Sequence, residues 1–158
     1  MSHIADPLEL RPFTLEDATA VAPWLCGPGL SVPRRNAWPQ RLLSDQRIVA
    51  SVAFSGAERV GLVRLDCGPD GVADVTLVVA PDHRRCGYGR RMFELALQRA
   101  REVGMRGLVA YIDLNNEPAT AFFEEVGFDA AGVAGSRLRM ERVVHAGGST
   151  VPPLDVSV

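Results

Sequence analysis

A chain of 158 residues with 47% hydrophobic and 23% charged residues has the composition of one folded domain rather than of a disordered tract. The formal net charge of −2 argues against broad nucleic-acid binding, and three scattered cysteines argue against a disulfide framework or a metal site. There is no stretch of about 18 apolar residues and no signal sequence in residues 1–10, so we expect a cytoplasmic protein without a membrane partner.

Apolar periodicity predicts alternating strands and helices from residue 8 onward. The first strand is expected at a sheet edge, because Pro12 cannot donate a hydrogen bond to a central ladder. Strands are predicted at residues 8–13, 47–54, 59–66, 72–80, 107–113 and 133–144, with the chain returning from Phe128. Helices are predicted at residues 14–25, within 31–44, and at 88–103 and 118–126. This order predicts an α/β mixed sheet with helices on both faces, in a single domain over 1–145, followed by an extended or mobile tail at 146–158.

The loop between the strand at 72–80 and the helix at 88–103 has the composition of an anion site. Gly87 and Gly89 open the helix, and four arginines stand within eight residues that contain no acid. Backbone N–H groups at a helix N-terminus are unpaired and the helix dipole is positive there, so this end attracts anions. Glycine has no Cβ and lets the backbone approach a diphosphate closely. The arginines are Arg84, Arg85, Arg90 and Arg91.

Two common nucleotide-binding motifs do not fit this loop. A Walker loop ends in Gly-Lys followed by Ser or Thr, and no such sequence is present. A dinucleotide fingerprint needs a glycine three residues after Gly89, where the chain has Met92. What remains is the pattern Arg-x-x-Gly-x-Gly over residues 84–89.

This pattern, preceded by a strand ending in Val-x-Pro and followed by a long helix, resembles the signature of the GNAT superfamily of N-acetyltransferases. A second segment, from Asn116 to Phe128, is similar to that family's later motif, in which Asn precedes a helix ending in an aromatic-x-x-x-Gly-Phe pattern. The resemblance extends over the whole predicted domain in element order, and it has motif-level strength over residues 72–128.

The resemblance implies a mostly antiparallel, twisted sheet with one splayed parallel pair, formed by the strands at 72–80 and 107–113. In that family the pantetheine arm of acetyl-CoA lies in the gap of this pair. Carried over to this chain, backbone groups of Leu77 and Val79 would bond the pantetheine, and Asn116 would bond the cofactor nearby. No metal is expected. The implied cofactor-binding residues are Leu77, Val78, Val79, Arg84, Arg85, Cys86, Gly87, Tyr88, Gly89, Arg90, Asn116 and Phe123.

Acetyl transfer to an amine needs a proton acceptor, because a primary amine has a pKa near ~10.4 and is mostly protonated at neutral pH. Asp74, at the start of the cofactor strand, is the first candidate for this base, and Asp113 is the second. Many GNAT members carry a tyrosine, regarded as the acid for the departing thiolate, where this chain has Phe123, which cannot donate a proton. Direct loss of the thiolate, protonation by water or a donor from elsewhere, such as Tyr111, all stay open. The N–H of Val79 is the candidate donor to the developing oxyanion.

The expected function is direct transfer of an acetyl group from acetyl-CoA to a primary amine of a small molecule. The hairpin at 60–66, with Asp74 and Phe123, is loosely similar to the branch that acetylates amino sugars on nucleotide carriers. Aminoglycosides, polyamines, amino acids and protein or peptide N-termini stay open as acceptors. An acetyl-CoA-binding module without turnover and a nucleotide-binding domain unrelated to coenzyme A are the alternatives. Exposed edges such as 8–13 or 133–144 would allow a homodimer.

Overall fold

The computed structural model describes residues 7–25, 38–84 and 87–145 of the chain. The strands are β1 (Leu8–Pro12), β2 (Ile48–Ser55), β3 (Glu58–Cys67), β4 (Val72–Val79), β5 (Gly107–Asp113), β6 (Asp129–Ala134) and β7 (Arg137–Val143). The helices are α1 (Leu15–Val21), α2 (Trp38–Ser44), α3 (Tyr88–Glu102) and α4 (Glu117–Glu125), with 3₁₀ turns at Ala22–Leu25 and Pro81–His83. The strands form one sheet in the order β1-β2-β3-β4-β5-β7-β6, in which only β4 and β5 pair in parallel.

This order confirms the predicted mixed sheet, and β1 is an edge strand, as Pro12 requires. The predicted last strand at 133–144 was wrong, because residues of two strands were merged into one. β6 and β7 form a hairpin that turns at Gly135, whose φ of +62° lies in the left-handed region that glycine adopts readily. β7 lies inside the sheet between β5 and β6, so the second edge is β6 and not the whole segment 133–144.

Three predictions fall partly or wholly outside the described residues. They concern the end of the first helix at Gly27–Gly29, the early part of the 31–44 segment and the tail at 146–158. Within the described residues, the first helix passes from α-helical to 3₁₀ geometry at Ala22, and the second helix is found as α2.

Helices pack on both faces of the sheet. On one face, Val21 of α1 and Leu42 of α2 join a cluster with the inward side chains of β2, β3 and β4, which include Val52, Leu62 and Val78. Asp74 lies on this same face, because side chains of a strand alternate and Asp74 is four residues from Val78. We call it the Asp74 face and the opposite side, which α3 and α4 cover, the α3 face.

The α3 face holds the larger part of the hydrophobic core. Helix α3 buries one side of its surface against the sheet, with Leu97 buried and Leu95 half-buried. Full burial of each large apolar side chain contributes roughly 1.5–3 kcal/mol, so this packing fixes the helix and the direction of its N-terminus. The buried side chains are Met92, Phe93, Ala96, Leu97 and Ala100.

Gly61 tests how closely α3 approaches the sheet. A Cβ at Gly61 would meet Met92 Sδ at 2.5 Å and the backbone oxygen of Val78 at 2.8 Å, and backbone cannot move aside cheaply. We expect Gly61→Ala to lower the free energy of unfolding by about 1–3 kcal/mol, as overpacking does. In the matched strand substitution Gly107→Ala, the nearest atom is Val72 Cγ2 at an ordinary 3.4 Å. Urea denaturation of both variants checks this, and equal losses would contradict a close approach at Gly61 alone.

Candidate active site

The parallel strands β4 and β5 pair only over their first residues. Beyond Asp74, no further pair between these two strands is present in the part of the chain that the structure describes, although β4 continues to Val79 and β5 to Asp113. The strands therefore diverge, which confirms the predicted splayed pair, and an opening lies between them. The paired positions are Val72 with Gly107, Ala73 with Leu108 and Asp74 with Val109.

The backbone of β4 presents hydrogen-bonding groups to this opening. The N–H of Ala80 donates to the oxygen of Val60 (2.8 Å), and the N–H of Gly68 donates to the oxygen of Val72 (2.9 Å), at the two ends of the β3–β4 ladder. Because bonding alternates along an antiparallel ladder, the even-numbered residues of β4 bond to β3 and the odd-numbered ones direct their backbone groups to the other side. Past the paired positions, these odd-numbered residues are Val75, Leu77 and Val79.

Helix α3 begins at the open end of β4. Gly87 precedes it with a φ of +80°, and a Cβ placed there would meet no atom of residues 7–25, 38–84 and 87–145 within 4 Å. The first N–H groups of the helix, at Tyr88, Gly89 and Arg90, have no carbonyl of their own helix to bond. The turn therefore has the shape and polarity of an anion cradle.

Side chains around the turn are partly engaged with the protein. Arg84 Nε donates to the carbonyl of the last residue of β4 at 3.4 Å, and Arg90 Nη2 lies 3.8 Å from Glu125 Oε1. Two further predicted cofactor-binding residues, Arg85 and Cys86, lie outside the described residues. The described arginines thus join the turn both to β4 and to α4.

Helix α4 closes over the start of α3. A Cβ at Gly89 would meet the ring of Phe122 at 3.3 Å. Asn116 caps α4, since its Oδ1 accepts a hydrogen bond from the N–H three residues on (3.2 Å), which leaves its Nδ2 group as the part that a ligand would meet. Phe123 is buried in the core and packs edge-to-face on Phe128, with the ring centroids 5.0 Å apart.

The Asp74 face carries a row of charged side chains across β3, β5 and β7, because cross-strand partners project to the same side. Arg139 Nη1 donates to the Tyr111 hydroxyl oxygen at 2.7 Å. No cation lies within 4.0 Å of Asp74 among residues 7–25, 38–84 and 87–145. The ion pairs on this face are Arg64 Nε with Asp66 Oδ1 (2.6 Å), Arg137 Nε with Asp113 Oδ1 (3.5 Å) and Arg139 Nε with Glu141 Oε2 (2.7 Å).

Asp74 differs from the other acids in its proton affinity. Burial is the largest cause that raises the pKa of Asp74 from 3.8 to about 6, and the negative charge of Asp66 acts in the same direction. The positive charges of Arg64, Arg137 and Arg139 oppose this rise. A carboxyl with this pKa is ionised at neutral pH, yet it accepts a proton more readily than an ordinary aspartate.

Sequence comparison decides the family. A model of the acetyltransferase (GNAT) family matches residues 10–128. The chain belongs to this family. Over 93% of its length it is 27% identical to a phosphinothricin N-acetyltransferase of Streptomyces viridochromogenes, of which it covers 86%. It is 38% identical over 99 residues to a mycothiol acetyltransferase of Cellulomonas flavigena, but it covers only 28% of that relative.

Solved structures of GNAT proteins share the fold. A variant of the spermidine N-acetyltransferase SpeG from Vibrio cholerae gives a TM-score of 0.75 over 86% of this chain and 93% of that one. A PaiA N-acetyltransferase from Thermoplasma acidophilum, in complex with coenzyme A, gives 0.70 over 87% and 99%. Both are 18% identical to this chain and show the fold alone. Family membership makes this protein an acetyl-CoA-dependent N-acetyltransferase.

The structure brings the predicted GNAT site residues into two groups. Leu77, Val79 and the turn at residues 87–90 line or end the opening, whereas Asp74, Tyr111 and Asp113 lie together on the Asp74 face. Asn116 is the N-cap of α4, and Phe123 is the residue of α4 that is buried in the hydrophobic core. Val78 directs its side chain into the hydrophobic cluster under α1 and α2.

Sequence reasoning missed Arg64 and Asp66. Their spacing of two residues on a predicted strand already placed them on one face of it. That this face is also the face of Asp74 follows only from the register of β3 against β4, which pairs Asp66 with Asp74. In the regions that the structure covers, no group of three or more His, Cys, Asp or Glu is placed to hold a metal ion, and no helix has the length and apolarity to cross a membrane.

The raised pKa of Asp74 makes its ionisation a cost to stability. The folded protein holds the proton of Asp74 more tightly than the unfolded chain does. The stabilisation that this bound proton gives to the folded state is therefore fully present below pH ~3.8, and it is lost as pH rises through about 6. We expect Asp74→Asn, which carries no charge, to be more stable than the wild type by roughly 1–3 kcal/mol above pH ~7, with the difference vanishing below pH ~4. Urea unfolding across this pH range measures it.

Asp45→Asn is a control of opposite sign. The hydrogen bond from the Arg47 N–H lowers the pKa of Asp45, so its carboxylate stabilises the fold as pH rises. We therefore expect the variant to lose stability relative to the wild type with increasing pH. An Asp74→Asn variant that behaved in the same way would show that Asp74 has no raised pKa.

Proposed function

We propose that this protein transfers the acetyl group of acetyl-CoA directly to a primary amine of a small molecule, with Asp74 as the base. One observation carries the proposal: the opening between β4 and β5 has an anion cradle at its wide end, and at its narrow end a carboxyl whose pKa is about 6. In this arrangement the diphosphate of acetyl-CoA would bind at one end of the opening, and its thioester would lie near the carboxyl of Asp74, the proton acceptor, at the other end. The named activities of the relatives, on phosphinothricin and spermidine, agree with a small amine as acceptor.

The cradle fits the diphosphate of the co-substrate. Gly87 has a backbone conformation that favours glycine, and no atom of the described residues lies within 4 Å of where its Cβ would stand, so a phosphate oxygen would reach the N–H groups of residues 88–90. The guanidinium groups of Arg84 and Arg90 would add positive charge beside it. The bond from Arg84 to a backbone carbonyl and the contact of Arg90 with Glu125 are long, at 3.4 and 3.8 Å.

The pantetheine arm would take the place of a strand beside β4. Its amides can pair with the backbone groups of Leu77 and Val79, which β5 does not reach. Asn116 would offer its Nδ2 donor from the start of α4. The acetyl group then lies toward the point of divergence, so the N–H of Leu77 would stabilise the oxyanion. The N–H of Val79, the candidate named from the sequence, is at the wide end beside the diphosphate.

Asp74 would accept the proton that the amine loses. As the amine nitrogen bonds to the thioester carbonyl carbon, the C–S bond breaks and the surplus proton on nitrogen passes to the carboxylate, directly or through water. Asp113, our second candidate, is held by Arg137 at 3.5 Å, whereas no arginine of the described residues lies that close to Asp74, whose pKa is raised to about 6. Asp74 is therefore the better base.

Tyr111 would supply a proton to the thiolate. Its hydroxyl oxygen accepts a hydrogen bond from Arg139, so its own O–H remains a donor, and the guanidinium would stabilise negative charge left on the oxygen. Phe123 cannot take this role, because its side chain is apolar and lies in the core.

Release of free coenzyme A from acetyl-CoA in the presence of an amine panel tests the acceptor. The panel should include polyamines, amino acids, aminoglycosides, nucleotide-linked amino sugars and short peptides. Binding of acetyl-CoA with no thiol release for any small amine would contradict the proposed transfer.

Two glycines with the same backbone conformation test the cradle. Gly87 and Gly104 have φ values of +80° and +84°, and a Cβ at either would meet no atom within 4 Å. Both alanine variants are expected to lose about 1–2 kcal/mol of stability from left-handed strain. Only Gly87→Ala places its methyl group beside the diphosphate, so we expect it alone to weaken acetyl-CoA binding, by about tenfold, or ~1.4 kcal/mol. Calorimetric titration of both variants measures this, and equal affinities would place the diphosphate elsewhere.

Asp74→Asn tests the base. With an amine that the panel identifies, we expect kcat/KM to fall by about 10²-fold or more, since proton transfer by a positioned group contributes on that order. In the wild type, kcat/KM should rise with pH and reach half its plateau near the pKa of Asp74, about 6. Asp113→Asn should keep this profile. A fully active Asp74→Asn variant would remove Asp74 from the mechanism.

A further inference from the structure

Asp66 and Asp74 form a cross-strand pair of carboxylates. They are directly opposite each other in the antiparallel register of β3 and β4, and both side chains project to the Asp74 face. The alternation along this ladder makes them a hydrogen-bonded pair, for which the Cα atoms are about 5.5 Å apart. Two carboxylates at this spacing repel each other when both are ionised, so the charge of Asp66 raises the pKa of Asp74.

Arg64 holds Asp66 with both ends of its guanidinium group. Arg64 Nε donates to Asp66 Oδ1 at 2.6 Å, and Arg64 Nη2 donates to Asp66 Oδ2 at 2.9 Å. Such a two-point contact fixes the geometry of the carboxylate. Asp66 therefore presents a negative charge in a fixed position to Asp74, and both of these guanidinium bonds are directed to Asp66 rather than to Asp74.

The other charged groups near Asp74 are already balanced. The 3₁₀ turn at Ala22–Leu25, which packs near β4, carries no titratable side chain. On β5 and β7, each acid of the Asp74 face has an arginine partner. Among the charged groups, Asp66 has the largest effect on the pKa of Asp74, and Arg64 opposes it more than Arg137 or Arg139 does. The groups of β5 and β7 on this face are Tyr111, Asp113, Arg137, Arg139 and Glu141.

We propose that Asp66, held by Arg64, is a positioning residue that controls the basicity of Asp74 and thereby the pH range in which the enzyme works. This inference rests on the proposed function, in which Asp74 is the base. The fixed charge of Asp66 makes Asp74 hold a proton more tightly, and the screen from Arg64 keeps Asp74 ionised at neutral pH. A base tuned in this way takes the amine proton more readily than an ordinary aspartate and is still available to do so.

The two residues should shift the titration of Asp74 in opposite directions. We expect Asp66→Asn to lower the pKa of Asp74 by about 1, the size of one charge acting at this distance, and Arg64→Gln to raise it. The measurement is a titration of the Asp74 carboxyl carbon by nuclear magnetic resonance in the full-length protein, with the Asp74→Asn variant to assign the signal. The acid limb of kcat/KM should move in the same direction in each variant.

Two further variants separate charge from structure. Asp66→Glu keeps the charge and the partner, so we expect it to retain the raised pKa of Asp74. Glu141→Gln removes a carboxylate from the Arg139–Glu141 pair, which has the same two-residue spacing as Arg64–Asp66 but lies two strands away from Asp74. We expect it to shift Asp74 much less than Asp66→Asn does.

The two readouts distinguish failure of this inference from failure of the proposed function. An Asp74 titration that is unchanged or raised in Asp66→Asn would overturn the control by Asp66, and a catalytic loss in Asp74→Asn would then leave the proposed function standing. A shifted titration with an unmoved acid limb would overturn the catalytic half of the inference, together with the assignment of Asp74 as the base.

Discussion

A strand inside a protein needs hydrogen-bonding partners on both sides, and beyond Asp74 the described part of the chain gives β4 such partners on the β3 side only. Its ladder with β3 is continuous from Ala73 to Val79, whereas its pairing with β5 ends at Asp74. Backbone N–H and C=O groups that lose water without gaining a partner are costly. A ligand with amide groups that lies along β4 removes this cost, which explains why the same divergence that weakens the sheet creates a place for a pantetheine arm.

The two faces of the sheet serve this opening in different ways. On the α3 face, close packing of apolar side chains, with Gly61 against Met92 at its tightest point, holds α3 so that its N-terminus stands at the end of β4. A rigid helix is suited to this, since the dipole and the free N–H groups act only over the first turn. On the Asp74 face, charged side chains replace the apolar layer beyond the part that α1 and α2 cover. The two faces of the sheet beside this opening thus have opposite chemistry.

The electrostatics of the Asp74 face come from how its arginines are distributed. On this face Arg64, Arg137 and Arg139 are each held by an acid other than Asp74, so their attraction reaches Asp74 only from a distance. Burial and the charge of Asp66 then outweigh that attraction and raise the pKa of Asp74 to about 6. The protein loses stability by keeping this carboxylate ionised at neutral pH, which is the kind of local cost found at functional sites.

The sequence alone determined the order of elements, the anion-binding turn and the family resemblance. These features depend on local signals: glycines at 87 and 89 before a helical repeat, Pro12 at an edge and an asparagine before a helix. It also identified Asp74 as a candidate, because the residue begins the cofactor strand. The sequence pattern predicted a single strand in place of β6 and β7, because Val133 and Leu138 continue one apolar pattern across the turn at Gly135.

Only the tertiary structure decided which side chains meet across the sheet. The pairing of Asp66 with Asp74 depends on strand register, and a slip of one residue would have sent Asp66 to the other face. The point at which β4 leaves β5 depends on contacts between residues more than 30 apart in the chain. Such contacts are set by the packing of the whole domain, and local sequence patterns carry no information about them.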